Sequence, residues 1–258
     1  MQGSGQERSE CNLGYTSAMA AHAPTRPPEV VLAGNNWFAG LATSLQGALI
    51  EAAAIRAVAT GRWLYGSGDA PRGLYAVLDG TALVYVALPE TEDVLVHAAG
   101  PGEVFGHAAH LARGPRLATI LAAEPSTFLF LSEHALARVA DRHPEIWQHL
   151  TRLLYEQLGE ALLVLAQTLA QPVRARLAAR LLQLGKAGST NPAPIGLSQG
   201  ELAELLGVSR KTANRLLQTM AREGAIELHY RRIFIRDAGI LRAMARDATR
   251  LGSGRSEI

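Results

Sequence analysis

Residues 197–223, LSQGELAELLGVSRKTANRLLQTMARE, carry helix start and stop signals so closely spaced that two short helices joined by a tight turn are the simplest solution. Ser198 with Glu201 three positions later is a capping box, in which each side chain satisfies an orphan backbone N–H at a helix start. The helix it opens gathers Leu202, Leu205 and Leu206 on one face. Gly207 ends it, because glycine enters the left-handed region without steric penalty, and Ser209 caps a second helix running toward Glu223. Ala203 and Gly207, four apart, fit the small positions of a helix-turn-helix. On the second helix Ala213, Leu216, Leu217 and Met220 recur at helical spacing and turn inward, which leaves Arg210, Lys211, Asn214 and Arg215 outward.

Those outward residues suit a DNA groove. Arg and Lys donate to guanine O6 and N7 and Asn pairs with adenine, each good contact discriminating by roughly 1 to 3 kcal/mol. A solvated basic helix face would carry the same charges, but it would not require the cap, the glycine turn and the second cap together. Charge along the chain points the same way. Residues 171–258 hold 15 Lys+Arg against 7 Asp+Glu, a net +8, whereas residues 1–170 hold 10 against 16, a net −6. A polyanion partner is therefore expected for the C-terminal part, with salt-sensitive affinity. A membrane is not expected as a partner, because no basic helix with an aromatic face accompanies the charge.

The 258 residues suffice for two domains, and 48% hydrophobic content with 19% charged residues indicates ordinary globular cores. Cys11 is the single cysteine, so one chain can supply neither a disulfide framework nor the thiolates of an iron-sulfur cluster. No run of 18 apolar residues and no secretory signal is found, and the expected location is the cytoplasm.

In chain order, residues 1–35 read as a flexible leader, with Met19 an alternative start. Residues 36–143 open with a helical pattern (Trp37, Leu41, Leu45, Leu49) and pass into short strands separated by glycine turns. Within 74–88, LYAVLDGTALVYVAL, Asp79-Gly80 stands between two β-rich runs and predicts a hairpin. Further strands are expected at 94–98, 117–122 and 127–131, giving an antiparallel β-roll or jelly roll. Ser132 caps a short helix, and Pro144 opens a long one over 144–170. Along it Trp147, Leu150, Leu154, Leu158, Ala161 and Leu165 repeat in steps of three and four. That stripe could simply pack on the β-roll, yet a helix of about 25 residues spans roughly 37 Å, more than a small roll needs, which favours a dimer seam. Pro172 breaks the helix, and 171–250 form the basic head: a helix over 173–184, a Gly/Pro/Asn loop over 185–196, the helix pair, and a two-stranded wing over 225–237. Tyr230, Arg231 and Arg232 at the wing turn are expected to face phosphates. The fold class is α+β: an N-terminal antiparallel β-roll, a long dimerisation helix and a C-terminal winged helix-turn-helix.

This order of parts resembles the Crp/Fnr superfamily of bacterial transcription regulators. The resemblance covers residues 36–248 and rests on GxGD at 66–69, LYAVLDG at 74–80, PGEVFG at 101–106, Pro115-Arg116, HPE at 143–145 and the helix pair itself. In cyclic-AMP-binding members, FGE followed about ten residues later by Arg-Ser binds the nucleotide, Glu on the ribose and Arg on the phosphate. Here the stretch reads Phe105-Gly106-His107 and Arg116-Leu117, and Ala161 and Leu162 stand where the family places Thr and Ser against the adenine. The resemblance thus implies an effector pocket at Gly106, His107, Arg116, Leu117, Ala161 and Leu162, while its altered residues imply an effector other than cyclic-AMP. The Fnr-type cluster is excluded by the cysteine count. A haem is not expected, with His97, His107 and His110 the available ligands, and the HxH pattern of a metal-dependent jelly-roll enzyme is absent.

The resemblance also implies DNA contacts from Ser198, Ser209, Arg210, Lys211, Thr212, Asn214, Arg215, Arg231 and Arg232. Lys211, a donor, stands where many members carry a Glu that accepts from cytosine, so the middle of the half-site should differ. The expected protein is a homodimeric regulator on a near-palindromic operator, with RNA polymerase a partner if it activates, and not an enzyme. A ligand-binding sensor whose head docks nonspecifically on nucleic acid or protein is the alternative; a jelly-roll enzyme with a DNA head is a third.

Overall fold

The computed structural model describes residues 24–185 and 194–246. Most of the leader, with Cys11 and Met19, lies outside the described residues, as do 186–193 of the expected loop and the end of the head beyond 246.

The N-terminal domain is a sandwich of two antiparallel four-stranded sheets. It begins with three helices, α1 (Pro28–Leu32), α2 (Asn36–Ala39) and α3 (Thr43–Ala52). The strands are β1 (Ala54–Val58), β2 (Trp63–Tyr65), β3 (Gly73–Asp79), β4 (Ala82–Val86), β5 (Val94–Ala99), β6 (Val104–Phe105), β7 (Thr119–Ala122) and β8 (Ser126–Ser132), with a short helix α4 (His107–Ala112) after β6. One sheet runs β1-β8-β3-β6 and the other β2-β7-β4-β5. Val77 and Phe128 of the first sheet meet Ala82, Ala99 and Ile120 of the second in the space between them. The outer face of the first sheet, with Leu74, Ala76, Leu78, Leu129 and Leu131, is covered by α1 to α3, by α5 (Glu133–Arg142) and by the start of α6 (Ile146–Ala170).

This arrangement corrects two expectations. The leader does not extend to 35: Val31 and Leu32 of α1 are buried in the helical layer, and Asn35 caps α2 by accepting from the N–H groups of Trp37 and Phe38. Nor does Asp79-Gly80 close a hairpin. β3 pairs with β8 and β6, whereas β4 pairs with β5 and β7, so the turn is a corner that carries the chain from one sheet to the other. Both strands are largely buried, and each finds its partners within its own sheet. Gly80 makes the corner with φ of 85°, and a Cβ there would stand 2.2 Å from the Ser126 hydroxyl oxygen.

The long helix has two roles along its length. Ile146, Leu150 and Leu153 are buried in the β-domain core, while Tyr155, Leu158, Leu162, Leu163, Leu165 and Leu169 are exposed. Leu150 of the expected stripe thus belongs to the core, and the exposed apolar residues lie on the C-terminal half.

The head comprises α7 (Val173–Leu184), α8 (Gln199–Leu206), α9 (Arg210–Arg222), β9 (Ile226–His229), β10 (Arg232–Ile235) and α10 (Ala238–Arg246), which packs on α7. Ile195 adds a backbone bridge to Ile233 at the wing's edge. No helix among the described residues is long and apolar enough to cross a membrane.

Replacing Gly80 by Ala is expected to destabilise the β domain by about 1 to 3 kcal/mol, from the positive φ and the crowding against Ser126. A urea midpoint equal to that of the wild type would contradict the tight corner.

Candidate nucleic-acid interface and effector pocket

The reading module folds as its local signals require. The Ser198 hydroxyl accepts from the Glu201 N–H at 3.1 Å, and the Glu201 carboxylate accepts from the Ser198 N–H at 2.6 Å. Gly207 takes the left-handed conformation at the end of α8. Ser209 caps α9 by accepting from the Thr212 N–H, and the two hydroxyls lie 3.0 Å apart. Ala213, Leu217 and Met220 are buried, Leu216 is half-buried, and Arg210, Lys211 and Arg215 are exposed, with Asn214 and Thr212 half-buried beside them. A helix N-terminus carrying Ser, Arg and Lys presents both donors and positive charge to a phosphate or a base edge. Ser198 stands apart from this group, its hydroxyl engaged in the cap.

The wing arginines are placed differently from the expectation. Tyr230 at the turn is 91% exposed, and Arg231 holds a φ of 54°. Arg231 donates from Nη2 to the Ala123 carbonyl at 3.3 Å and lies 3.5 Å from Glu201, while Arg232 donates to Glu124 at 3.2 Å. Both therefore meet acceptors of the protein itself, and Ala123 and Glu124 belong to the β domain.

The structure brings Gly106, His107 and Arg116 together and leaves Leu117, Ala161 and Leu162 exposed. Arg116 is only 3% exposed. Its Nη1 donates to the Gly106 carbonyl at 2.6 Å and its Nη2 to the Gly73 carbonyl at 2.7 Å, and the guanidinium lies 4.2 Å from the centre of the Tyr65 ring. No carboxylate pairs with it among the described residues. Burial outweighs this cation and pushes the Tyr65 hydroxyl up to about 12. Tyr65 in turn leans on Tyr75 and Phe105, with ring centres 5.7 and 6.3 Å away.

His107, 1% exposed, leaves both ring nitrogens without a hydrogen-bond partner. Burial and, secondarily, the Arg116 charge hold its pKa down to about 4. A neutral imidazole in that position cannot do the work of a carboxylate toward a sugar hydroxyl pair. Among the other candidate ligands, His97 lies 2.7 Å from Glu103, and His110 lies 3.1 Å from Glu133 with its ring stacked on Trp147. No group of three or more His, Cys, Asp or Glu among the described residues is arranged to hold a metal ion. The Gly73 carbonyl and the Tyr65 ring are the pocket features that sequence reasoning missed; Gly66-Ser67-Gly68-Asp69 beside Tyr65 was the available signal.

The buried histidine gives the fold an acid limb. Between pH 6.5 and about 4 the unfolded chain binds a proton at His107 that the folded one refuses, so stability falls as the pH falls through that window. The loss reaches on the order of 3 kcal/mol below pH 4. In His107→Leu that part of the slope should vanish from urea midpoints measured between pH 7 and pH 4; an unchanged slope would place the titration elsewhere.

A winged helix-turn-helix carried on a jelly-roll domain defines the class: a DNA-binding protein with an N-terminal β domain. Comparison with known proteins agrees with that division. Residues 55–143 match the cyclic nucleotide-binding domain, and residues 175–244 match the Crp-like helix-turn-helix domain. The cyclic AMP receptor protein of Thermus thermophilus is 31% identical over 186 residues, covering 72% of this chain and 85% of its own length. The CRP-like cAMP-activated global transcriptional regulator of Mycobacterium tuberculosis is 29% identical over 192 residues, again covering 72% and 85%. The structure of FixK2 from Bradyrhizobium japonicum shares the fold with a TM-score of 0.64 at 19% identity, covering 74% of this chain and 96% of that one. The chain belongs to the Crp/Fnr superfamily of transcription regulators.

Proposed function

We propose that the protein acts as a homodimer that binds a near-palindromic operator through two α9 helices, under an effector other than cyclic-AMP. The observation that carries the DNA reading is the doubly capped helix pair with Arg210, Lys211 and Arg215 exposed along one helix start. Dimerisation is supported by the C-terminal half of α6, where four exposed leucines, 158, 162, 165 and 169, form a stripe that water disfavours. A two-fold axis along that stripe would set the reading helices about one DNA turn, near 34 Å, apart. RNA polymerase is a partner in this reading if the protein activates, and the cytoplasm is its place of work.

The effector reading rests on Arg116 and His107. A nucleotide phosphate would have to take Arg116 away from two carbonyls and the Tyr65 ring, and its ribose would face an imidazole rather than a carboxylate. Each hydrogen bond exchanged in this way is worth roughly 0.5 to 1.5 kcal/mol, and more where charge is involved.

Selection from random DNA with the purified protein, without added nucleotide, is expected to yield one near-palindromic sequence. On that sequence Lys211→Ala and Arg215→Ala should each weaken binding about five- to hundredfold and change the preferred bases, whereas Arg231→Ala should weaken all sequences alike. Equal retention of unrelated sequences would overturn specificity. Leu158→Asp with Leu162→Asp is expected to give a monomer by sedimentation; a dimer would place the seam elsewhere.

A further inference from the structure

The head is seated on the outer face of the second sheet. Leu83, Leu95 and Ala98 of that sheet share one apolar core with Leu177, Leu181 and Leu202 of the head. At one edge of this seat the chain passes close: a Cβ on Gly196 would lie 2.3 Å from a Glu124 carboxylate oxygen and 3.0 Å from the Thr81 hydroxyl. Glu124 is held from both sides, accepting from the Thr81 hydroxyl at 3.2 Å through Oε1 and from Arg232 at 3.2 Å through Oε2. The neighbouring Ala123 carbonyl accepts from Arg231. We propose that Ala123 and Glu124, at the turn between β7 and β8, form a latch that occupies the two wing arginines, so that DNA phosphates and the β domain compete for the same cations.

Three observations carry this. First, one contact is an ion pair and the other a cation on a backbone carbonyl, each joining residues 108 apart in sequence, and they use the two side chains that the winged head would otherwise offer to phosphates. Second, they are 3.3 and 3.2 Å long and partly exposed, so they can be exchanged for phosphate contacts at small cost. Third, the seat holds a cation that favours leaving it. Arg180 on α7 is buried against β5 with the Val96 carbonyl at 3.4 Å and the Gln183 side chain at 3.0 Å, and no carboxylate pairs with it among the described residues. Burial lowers its pKa, which means the charged form prefers a more solvated head. Burial of that cation offsets part of the apolar packing that holds the head to the sheet.

The proposal rests on the DNA-binding reading, and its test separates the two. Amide hydrogen exchange of the full chain without DNA reads the latch directly. Glu124→Gln is expected to speed exchange in β9, β10 and the 194–197 segment about two- to fivefold, Arg232→Gln to do the same, and the double variant to add nothing further. Affinity for the selected operator should rise about two- to fivefold in Glu124→Gln and stay level in Glu92→Gln, an equal change of charge on the exposed β4–β5 connection. Unchanged exchange in both single variants, or additive effects in the double variant, would overturn the latch. Faster exchange without a gain in affinity would overturn the competition while leaving DNA binding intact. If neither protein binds DNA, the DNA reading falls and the competition with it.

Discussion

The contact on which the β domain most depends is the buried Arg116 guanidinium held by two backbone carbonyls. It ties the first residue of β3, through Gly73, to the turn between β6 and α4, through Gly106, and does so from the loop that leads into β7. The backbone N–H of Arg116 donates to the Asp69 carbonyl and its own carbonyl accepts from Gly68, so the same residue also pins the glycine turn after β2. A buried cation without a carboxylate would be costly, but two charge-assisted bonds and the face of Tyr65 offset much of that cost. A group so placed already has a structural task, which is the physical basis for proposing that the effector is not cyclic-AMP.

From this pin the layers follow. The first sheet carries the helices and the start of α6 on its outer face, the second carries the head, and Val77, Ile120 and Phe128 pack between the two sheets. β7 and β8 belong to opposite sheets, so the turn between them, where Glu124 sits, joins the two sheets beside the wing. The exposed leucines of α6 lie beyond the half of that helix fixed in the core, so a partner can pack there without disturbing the β domain.

What was legible in the sequence was what local chemistry decides. The two caps, Gly207 and the spacing of Ala213, Leu217 and Met220 define the reading helices within a stretch of 27 residues, and Pro172 marks the break after the long helix. What was not legible depended on distant partners. Asp79-Gly80 is a turn in either reading, and only the pairing of β3 with β8, some fifty residues away, makes it a corner. β1, β2 and β6 are two to five residues long and carry too little pattern to stand out. The wing turn is legible in the alternation over 225–237, but the direction of Arg231 and Arg232 is set by residues 123 and 124, which no local signal connects to them. In the pocket, resemblance pointed to Gly106 and Arg116, while the carbonyl that Arg116 needs from Gly73 follows only from the folded β3.

The most direct measurement is isothermal titration of the purified full-length protein with cyclic-AMP at neutral pH. With Arg116 bound to Gly73 and Gly106 and His107 in place of the ribose carboxylate, the proposed reading predicts no saturable heat up to about 1 mM nucleotide, a binding free energy weaker than about −4 kcal/mol. Stoichiometric binding in the micromolar range would contradict it, and would mean that Arg116 leaves its carbonyls for a phosphate.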